Sequence, residues 1–139
     1  MMPLVTDASV LFKCLLPEPG SIRARQLLER PTRPIAPEVV IAECAHAVWK
    51  RAHRGLIDVR QAMDLQGELL AIPIDARSII ALTPAALALS LEYDHPIHDC
   101  YYLAAAIEAD CELATADTRL YDLAQRVGLG ARAILVRAS

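Results

Sequence analysis

The sequence predicts an α/β protein, a single domain built on a parallel sheet of about five strands with helices on both faces. Three observations lead there. Short apolar, β-rich segments alternate with longer stretches of helical spacing along the whole chain, and that alternation makes parallel sheets joined by right-handed crossovers. The length of 139 residues suits one core, so 1–139 is read as one domain. Hydrophobic residues make up 55% of the chain and aromatics only 4%, so Ala, Leu, Ile and Val must fill that core, and a disordered chain is excluded.

The elements follow in order. Met2 to Thr6 is a short apolar strand that stops at Asp7, and Ala8 to Leu16 continues as a helix. Pro17, Pro19 and Gly20 break the chain, after which Ile22, Leu27 and Leu28 give a second, half-exposed helix one apolar stripe. Pro34-Ile35-Ala36 reads as a very short strand, and Pro37 suits the first turn of a helix reaching Arg54 and closed by Gly55. Val59 to Ala71 carries Ala62, Leu65, Leu69 and Leu70 at helical spacing, and Ile72 to Asp75 reads as an edge strand because of Pro73. Thr83-Pro84 opens a helix to Tyr93, His95-Pro96 makes a turn, and Ile97 to Ala109 is helical again. Cys111 to Thr115 is a strand ending at Ala116-Asp117, Leu120 to Val127 a helix stopped by Gly128, and Ala131 to Val136 the last strand.

The charge balance argues first against a nucleic-acid binder: 14 Lys+Arg face 17 Asp+Glu, a net of −3. No apolar run approaches the ~18 residues of a membrane span, and no cationic segment precedes the apolar start, so a cytoplasmic protein is expected. Cys14, Cys44, Cys100 and Cys111 stand singly in apolar stretches without zinc-finger spacing and read as small buried hydrophobes.

The chemistry is sought where parallel sheets bind ligands, at the carboxyl ends of strands. Asp7 and Asp117 each end a strand and precede a helix, a position that suits a helix N-cap as well as a ligand. Glu43 lies about two turns into an apolar helix and reads either as an outward-pointing acid or as part of a site. Asp99, in the first turn of another apolar helix, also suits the helix dipole, an interaction worth about 0.3–1 kcal/mol. If the four converge, each ionised pair about 4 Å apart repels by up to roughly 4 kcal/mol at an effective dielectric near 20. A domain stable by only about 5–15 kcal/mol then needs protonation or a cation. Oxygen ligands without His or Cys partners select Mg²⁺ or Mn²⁺, an ion able to activate water against a phosphodiester.

Four segments, in order and spacing, resemble the acidic motifs of PIN-domain nucleases, and among these the small VapC toxins of bacterial toxin–antitoxin pairs. They are Leu4-Val5-Thr6-Asp7-Ala8-Ser9, Pro37-Glu38-Val39-Val40-Ile41-Ala42-Glu43, Pro96-Ile97-His98-Asp99-Cys100-Tyr101-Tyr102-Leu103-Ala104 and Leu113-Ala114-Thr115-Ala116-Asp117-Thr118-Arg119-Leu120. The similarity spans essentially the whole chain. It implies a five-stranded parallel sheet and an Mg²⁺- or Mn²⁺-dependent endoribonuclease toxin that cuts RNA, in structured loops, and inhibits translation. It also implies a homodimer, and neutralisation by a cognate VapB-like antitoxin. Carried over, Asp7 and Asp99 are the strongest metal ligands, with Glu43 and Asp117 completing the catalytic pocket; Thr6, Thr115 and Arg119 are auxiliary candidates. His98 and His46 read as surface side chains, while Asp75, Asp94, Asp110 and Asp122 read as caps or solvated positions.

Rival readings fare worse. A receiver domain needs a late lysine, and the only lysines are Lys13 and Lys50; a haloacid-type hydrolase needs an Asp where Ser9 stands. The serious alternatives are a PIN-domain nuclease of RNA processing and a PIN-like module that binds RNA or protein without cleaving. Setting the four site acids aside leaves 14 Lys+Arg against 13 acids, a net of +1, which is compatible with a nucleic-acid substrate.

Overall fold

The computed structural model describes residues 2–137. Its elements are β1 (Leu4–Thr6), α1 (Ala8–Leu15), α2 (Ser21–Leu28), β2 (Ile35–Pro37), α3 (Val39–His53), α4 (Val59–Ala71), β3 (Asp75–Arg77), α5 (Ile79–Tyr93), α6 (Ile97–Ala109), β4 (Glu112–Thr115), α7 (Thr118–Val127), a 3₁₀ turn (Gly130–Arg132) and β5 (Ala133–Leu135). The five strands pair in the order β3-β2-β1-β4-β5, all parallel. The predicted architecture is therefore the observed one.

That order decides where a ligand can sit. From β1 the chain builds outward to β2 and β3 on one side, then returns to add β4 and β5 on the other. The strand order thus reverses between β1 and β4. Their register sets Leu4, Val5 and Thr6 beside Glu112, Leu113 and Ala114, so the residues following both strands emerge side by side.

Alternation along the strands divides the core. Val5 and Leu113 pack into the larger cluster with α3, α4, α5 and α6, while Leu4 and Ala114 join Val10, Ala24, Leu27 and Val136 in a smaller one beneath α1 and α2. Leu27, Leu82, Leu103, Leu113, Leu120 and Leu123 are fully buried, each contributing about 1.5–3 kcal/mol of transfer free energy. Cys44, Cys100 and Cys111 are buried free thiols within this packing and Cys14 is half-buried, as expected of small hydrophobes. Burial pushes the Cys44 thiol up to about 12.

Several boundaries differ from expectation for local reasons. The second helix buries Ser21, Ala24 and Leu27 rather than Ile22, which is 73% exposed; Gly20 caps it at φ 88, where a Cβ would meet the Arg137 carbonyl at 3.2 Å. Pro37 ends β2 instead of opening α3, because β2 pairs with β3 as far as Arg77. The edge strand is β3, shifted to Asp75–Arg77. Asp75 donates its N–H to the Pro34 carbonyl and pairs with Arg77, so it is a ladder residue and not a cap. Pro84 lies inside α5, which starts earlier because Ser78 accepts from the Ala81 N–H; the proline removes one rung and stays on the exposed side. Asp94 and Asp110 end α5 and α6 as left-handed C-caps with φ 50, a role Asp tolerates.

Candidate active site

Two hydroxyls join the ends of β1 and β4. Asp7, the N-cap of α1, accepts the Val10 N–H on Oδ1 at 3.2 Å and the Ser9 hydroxyl on the same oxygen at 2.6 Å. Its Oδ2 accepts from the Thr115 hydroxyl. Each hydroxyl also accepts from the segment that follows β4: Ser9 Oγ, across the two strand ends, from the Ala116 N–H at 2.9 Å, and Thr115 Oγ1 from the Asp117 N–H at 3.0 Å. Cap and site are not alternatives for Asp7. The same carboxyl caps α1 and is held by hydroxyls at the ends of both strands.

Burial pushes the Asp7 carboxyl above the usual carboxylate range, with the nearby negative charge of Asp117 adding to the rise. The bonds from Ser9, Thr115 and Val10 pull the other way. Glu43 behaves alike: burial raises it, the Tyr102 hydrogen bond opposes, and the charges of Asp7 and Asp99 raise it further. It is half-buried and does not point outward. Its Oε1 accepts from the hydroxyl of Tyr102 at 2.8 Å, and Tyr102 is only 1% exposed. Among the described residues no cationic group hydrogen-bonds to Asp7 or to Glu43.

Asp99 and Asp117 are compensated from within. Asp99, buried in the first turn of α6, accepts on Oδ2 from His95 Nε2 at 2.7 Å and from Arg119 Nε at 3.2 Å. Asp117 caps α7 through the Arg119 N–H, and its Oδ2 lies 3.9 Å from Arg119 Nη2. Arg119, with its side chain 64% exposed, thus bridges the two acids. Thr6 hydrogen-bonds to no carboxylate; its hydroxyl donates to the Asp7 backbone carbonyl, and the hydroxyl contacts to the Asp7 carboxylate come from Thr115 and Ser9.

The four acids therefore meet at one end of the sheet as an electrostatically coupled group. Among the described residues, no three His, Cys, Asp or Glu side chains stand close enough together to share an ion as placed. The donor set nevertheless fits a hard divalent cation. Its atoms are carboxylate oxygens, and neither the buried Asp7 nor the half-buried Glu43 is hydrogen-bonded to a cationic group among the described residues.

A groove of about 780 Å³ opens beside them between α1 and α3. Glu43 lines it directly, and the other acids reach it through their neighbours Ala8, Ser9, His98 and Ala116. Lys13, Lys50 and Arg51 bring positive charge to the same walls. His95, Ser9 and Tyr102 are site residues that sequence reasoning missed. The four-residue step from His95 to Asp99 and the Ser9 hydroxyl two residues after Asp7 were signals for two of them; nothing local announces Tyr102, which lies 59 residues from Glu43.

Comparison with known proteins places the chain in a family. A family model described as PIN domain matches residues 4–126. Ribonuclease VapC3 of Pyrobaculum aerophilum is 28% identical over 121 residues, covering 86% of this chain and 92% of the relative. Among solved structures, the crystal structure of PAE2754 from Pyrobaculum aerophilum matches with a TM-score of 0.73 and 20% identity, over 97% of this chain and 84% of that one. A toxin–antitoxin complex from Klebsiella pneumoniae matches with a TM-score of 0.63 and 18% identity, over 98% and 99%. These two likenesses concern the fold. Since the family model runs from the first strand through the last α-helix, this chain belongs to the PIN-domain family.

Proposed function

We propose that the protein is a divalent-metal-dependent endoribonuclease of the VapC kind, the toxin of a toxin–antitoxin pair. One observation carries the reading: Asp7, buried, and Glu43, half-buried, are carboxylates with no cationic group hydrogen-bonded to them among the described residues, beside Asp99 and Asp117, at the point where the strand order reverses. The ribonuclease name of a relative alignable over most of both chains supports it, as does a toxin–antitoxin structure of the same fold.

In this reading Asp7 and Asp99 hold Mg²⁺ or Mn²⁺, with Glu43 and Asp117 completing the pocket. The bound ion supplies the charge that makes water acidic and steadies the leaving oxygen. The chain's own groups do the rest. Ser9 and Thr115 fix both oxygens of Asp7, and Tyr102 fixes one oxygen of Glu43, which lines the groove; the other oxygen is the acceptor for a proton from the attacking water. Lys50 and Arg119 attract the phosphodiester. The RNA is presented as a loop or single strand, its cleavage inhibits translation in the cytoplasm, and the working unit is a homodimer silenced by a VapB-like antitoxin.

The test compares wild type with Asp7→Asn and Asp99→Asn on total RNA in Mg²⁺, Mn²⁺ or EDTA, mapping new 5′ ends. Cleavage by wild type only, and only with metal, is expected. Equal cleavage by all three proteins refutes the assignment, as does none by folded wild type freed of partners. Thermal melts give a second reading: Mn²⁺ raises the midpoint of wild type more than that of Asp7→Asn, because only a native-state ligand stabilises by mass action.

A further inference from the structure

Three rings form a column on the exposed side of α3. His46 and Trp49 stack with centroids 5.6 Å apart and planes 20° from parallel, and Trp49 and His53 with 4.8 Å and 13°. The spacings of three and four residues put all three on one helical stripe, about 10 Å long at 1.5 Å per residue. Trp49 is 55% exposed, so this large apolar side chain does not serve the core.

The column begins at the site. His46 lines the groove together with Glu43, one turn earlier on the same helix, and with His98. Beyond Glu43 helix α3 carries no acid, and Lys50, Arg51 and Arg54 interleave with the rings. Arg51 and Lys13 are engaged by Glu18, at 3.0 Å and 4.0 Å. Lys50, which also lines the groove, makes no ion pair among the described residues.

Rings flanked by free positive charge are what an unpaired polynucleotide needs. Trp49 turns its faces to His46 and His53 and holds the two imidazoles in line, so bases extend the column on the outward faces of the end rings while phosphates meet the ammonium, and neither contact depends on sequence. We infer that the His46–Trp49–His53 column is a stacking platform for single-stranded RNA leaving the acidic pocket along α3, with Lys50 on its backbone. The inference rests on the ribonuclease reading and adds to it the residues that grip the strand next to the scissile phosphate. A protein partner is the competing occupant of such a surface. Lys50 and Arg54, which make no ion pair among the described residues, bring positive charge beside the rings next to the groove, and this favours the polyanion.

Trp49 is the only tryptophan in the chain, so its fluorescence reports the platform directly. The full-length protein in EDTA is titrated with a mixed-sequence single-stranded 12-nucleotide RNA. Binding is followed by Trp49 emission and, for the variants, by the anisotropy of labelled RNA. Saturable quenching is expected. The Kd is expected to rise about 5- to 100-fold in Trp49→Ala, with Trp49→Phe retaining most of the affinity and both variants keeping the wild-type melting temperature. Binding that leaves Trp49 emission unchanged, together with equal affinity of Trp49→Ala, overturns the platform. So does a Trp49→Ala protein with unaltered RNA affinity but a changed oligomeric state, which reassigns the column to a protein interface. Digestion of total RNA in Mg²⁺ separates the two ideas. Cleavage without any effect of Trp49 removes the platform alone, and quenching without cleavage removes the nuclease reading while supporting the platform.

Discussion

Replacing Tyr102 by Phe removes one atom from the protein, the hydroxyl that holds Glu43. The ring is 1% exposed and the substitution leaves it in place, so packing barely changes and the loss falls on the 2.8 Å bond to Glu43 Oε1. Hydrogen bonds to charged groups contribute about 1.5–3 kcal/mol, and those between neutral groups about 0.5–1.5. Glu43 is only half-buried, so water recovers part of the loss, and about 1–2 kcal/mol is expected at neutral pH. In a domain of this size that lowers the melting temperature by roughly 3–8 °C. The bond favours the ionised carboxylate, so the destabilisation is larger at neutral pH than at pH 4, where Glu43 is protonated. Urea melts of wild type, Tyr102→Phe, Glu43→Gln and the double variant in EDTA yield the coupling energy. A coupling energy near zero, or a Tyr102→Phe loss independent of pH, refutes the claim that Tyr102 positions Glu43.

Three further outcomes follow from the same geometry. Asp7 and Glu43 have carboxyl groups raised above their unfolded values by burial. A raised acid stabilises fully below its unfolded pKa, and that stability is lost as pH rises through the folded pKa. Metal-free protein should therefore melt lower at pH 7 than near pH 5, a difference that shrinks in Asp7→Asn and that Mn²⁺ reverses; melting temperatures that climb to pH 7 in EDTA contradict it. Arg119→Ala removes the cation bridging Asp99 and Asp117 and should tighten the Mn²⁺ midpoint about 2- to 5-fold, the range of an exposed ion pair, measured by melting-temperature titration. Asp58→Ala breaks the capping box of α4, remote from the groove; it should cost about 1 kcal/mol in a urea melt and leave RNA cleavage unchanged, and a loss of cleavage would mean that α4 takes part in the site.

Much of this molecule is legible in its sequence because local rules hold where chain neighbours decide. Asp58 with Gln61, Pro96 ahead of Ile97 and Gly128 after Val127 set helix ends within a residue or two of where they lie. Boundaries moved where a partner strand or a cap overrode the local signal, as when the ladder to β3 drew Pro37 into β2 and Ser78, five residues before the expected opening at Thr83, capped α5. The four acids stood out because each interrupts an apolar run at a strand end or on a helix that should be buried. Their partners did not, because a hydroxyl such as that of Thr115 has the same meaning in any strand until it is seen opposite Asp7, 108 residues away.

The alternating pattern of strand and helix was enough to determine the parallel sheet, its approximate strand number and the neighbourhood of the acids, since hydrophobic burial acts through sequence periodicity. Only the tertiary structure decided how charge is distributed among those acids. It gave Asp99 and Asp117 a shared arginine and left Asp7 and Glu43 with uncharged donors, hydroxyls for both and a backbone N–H for Asp7. It also turned three rings of α3 outward beside them. Electrostatic compensation depends on distance and burial, which the order of residues along the chain does not contain.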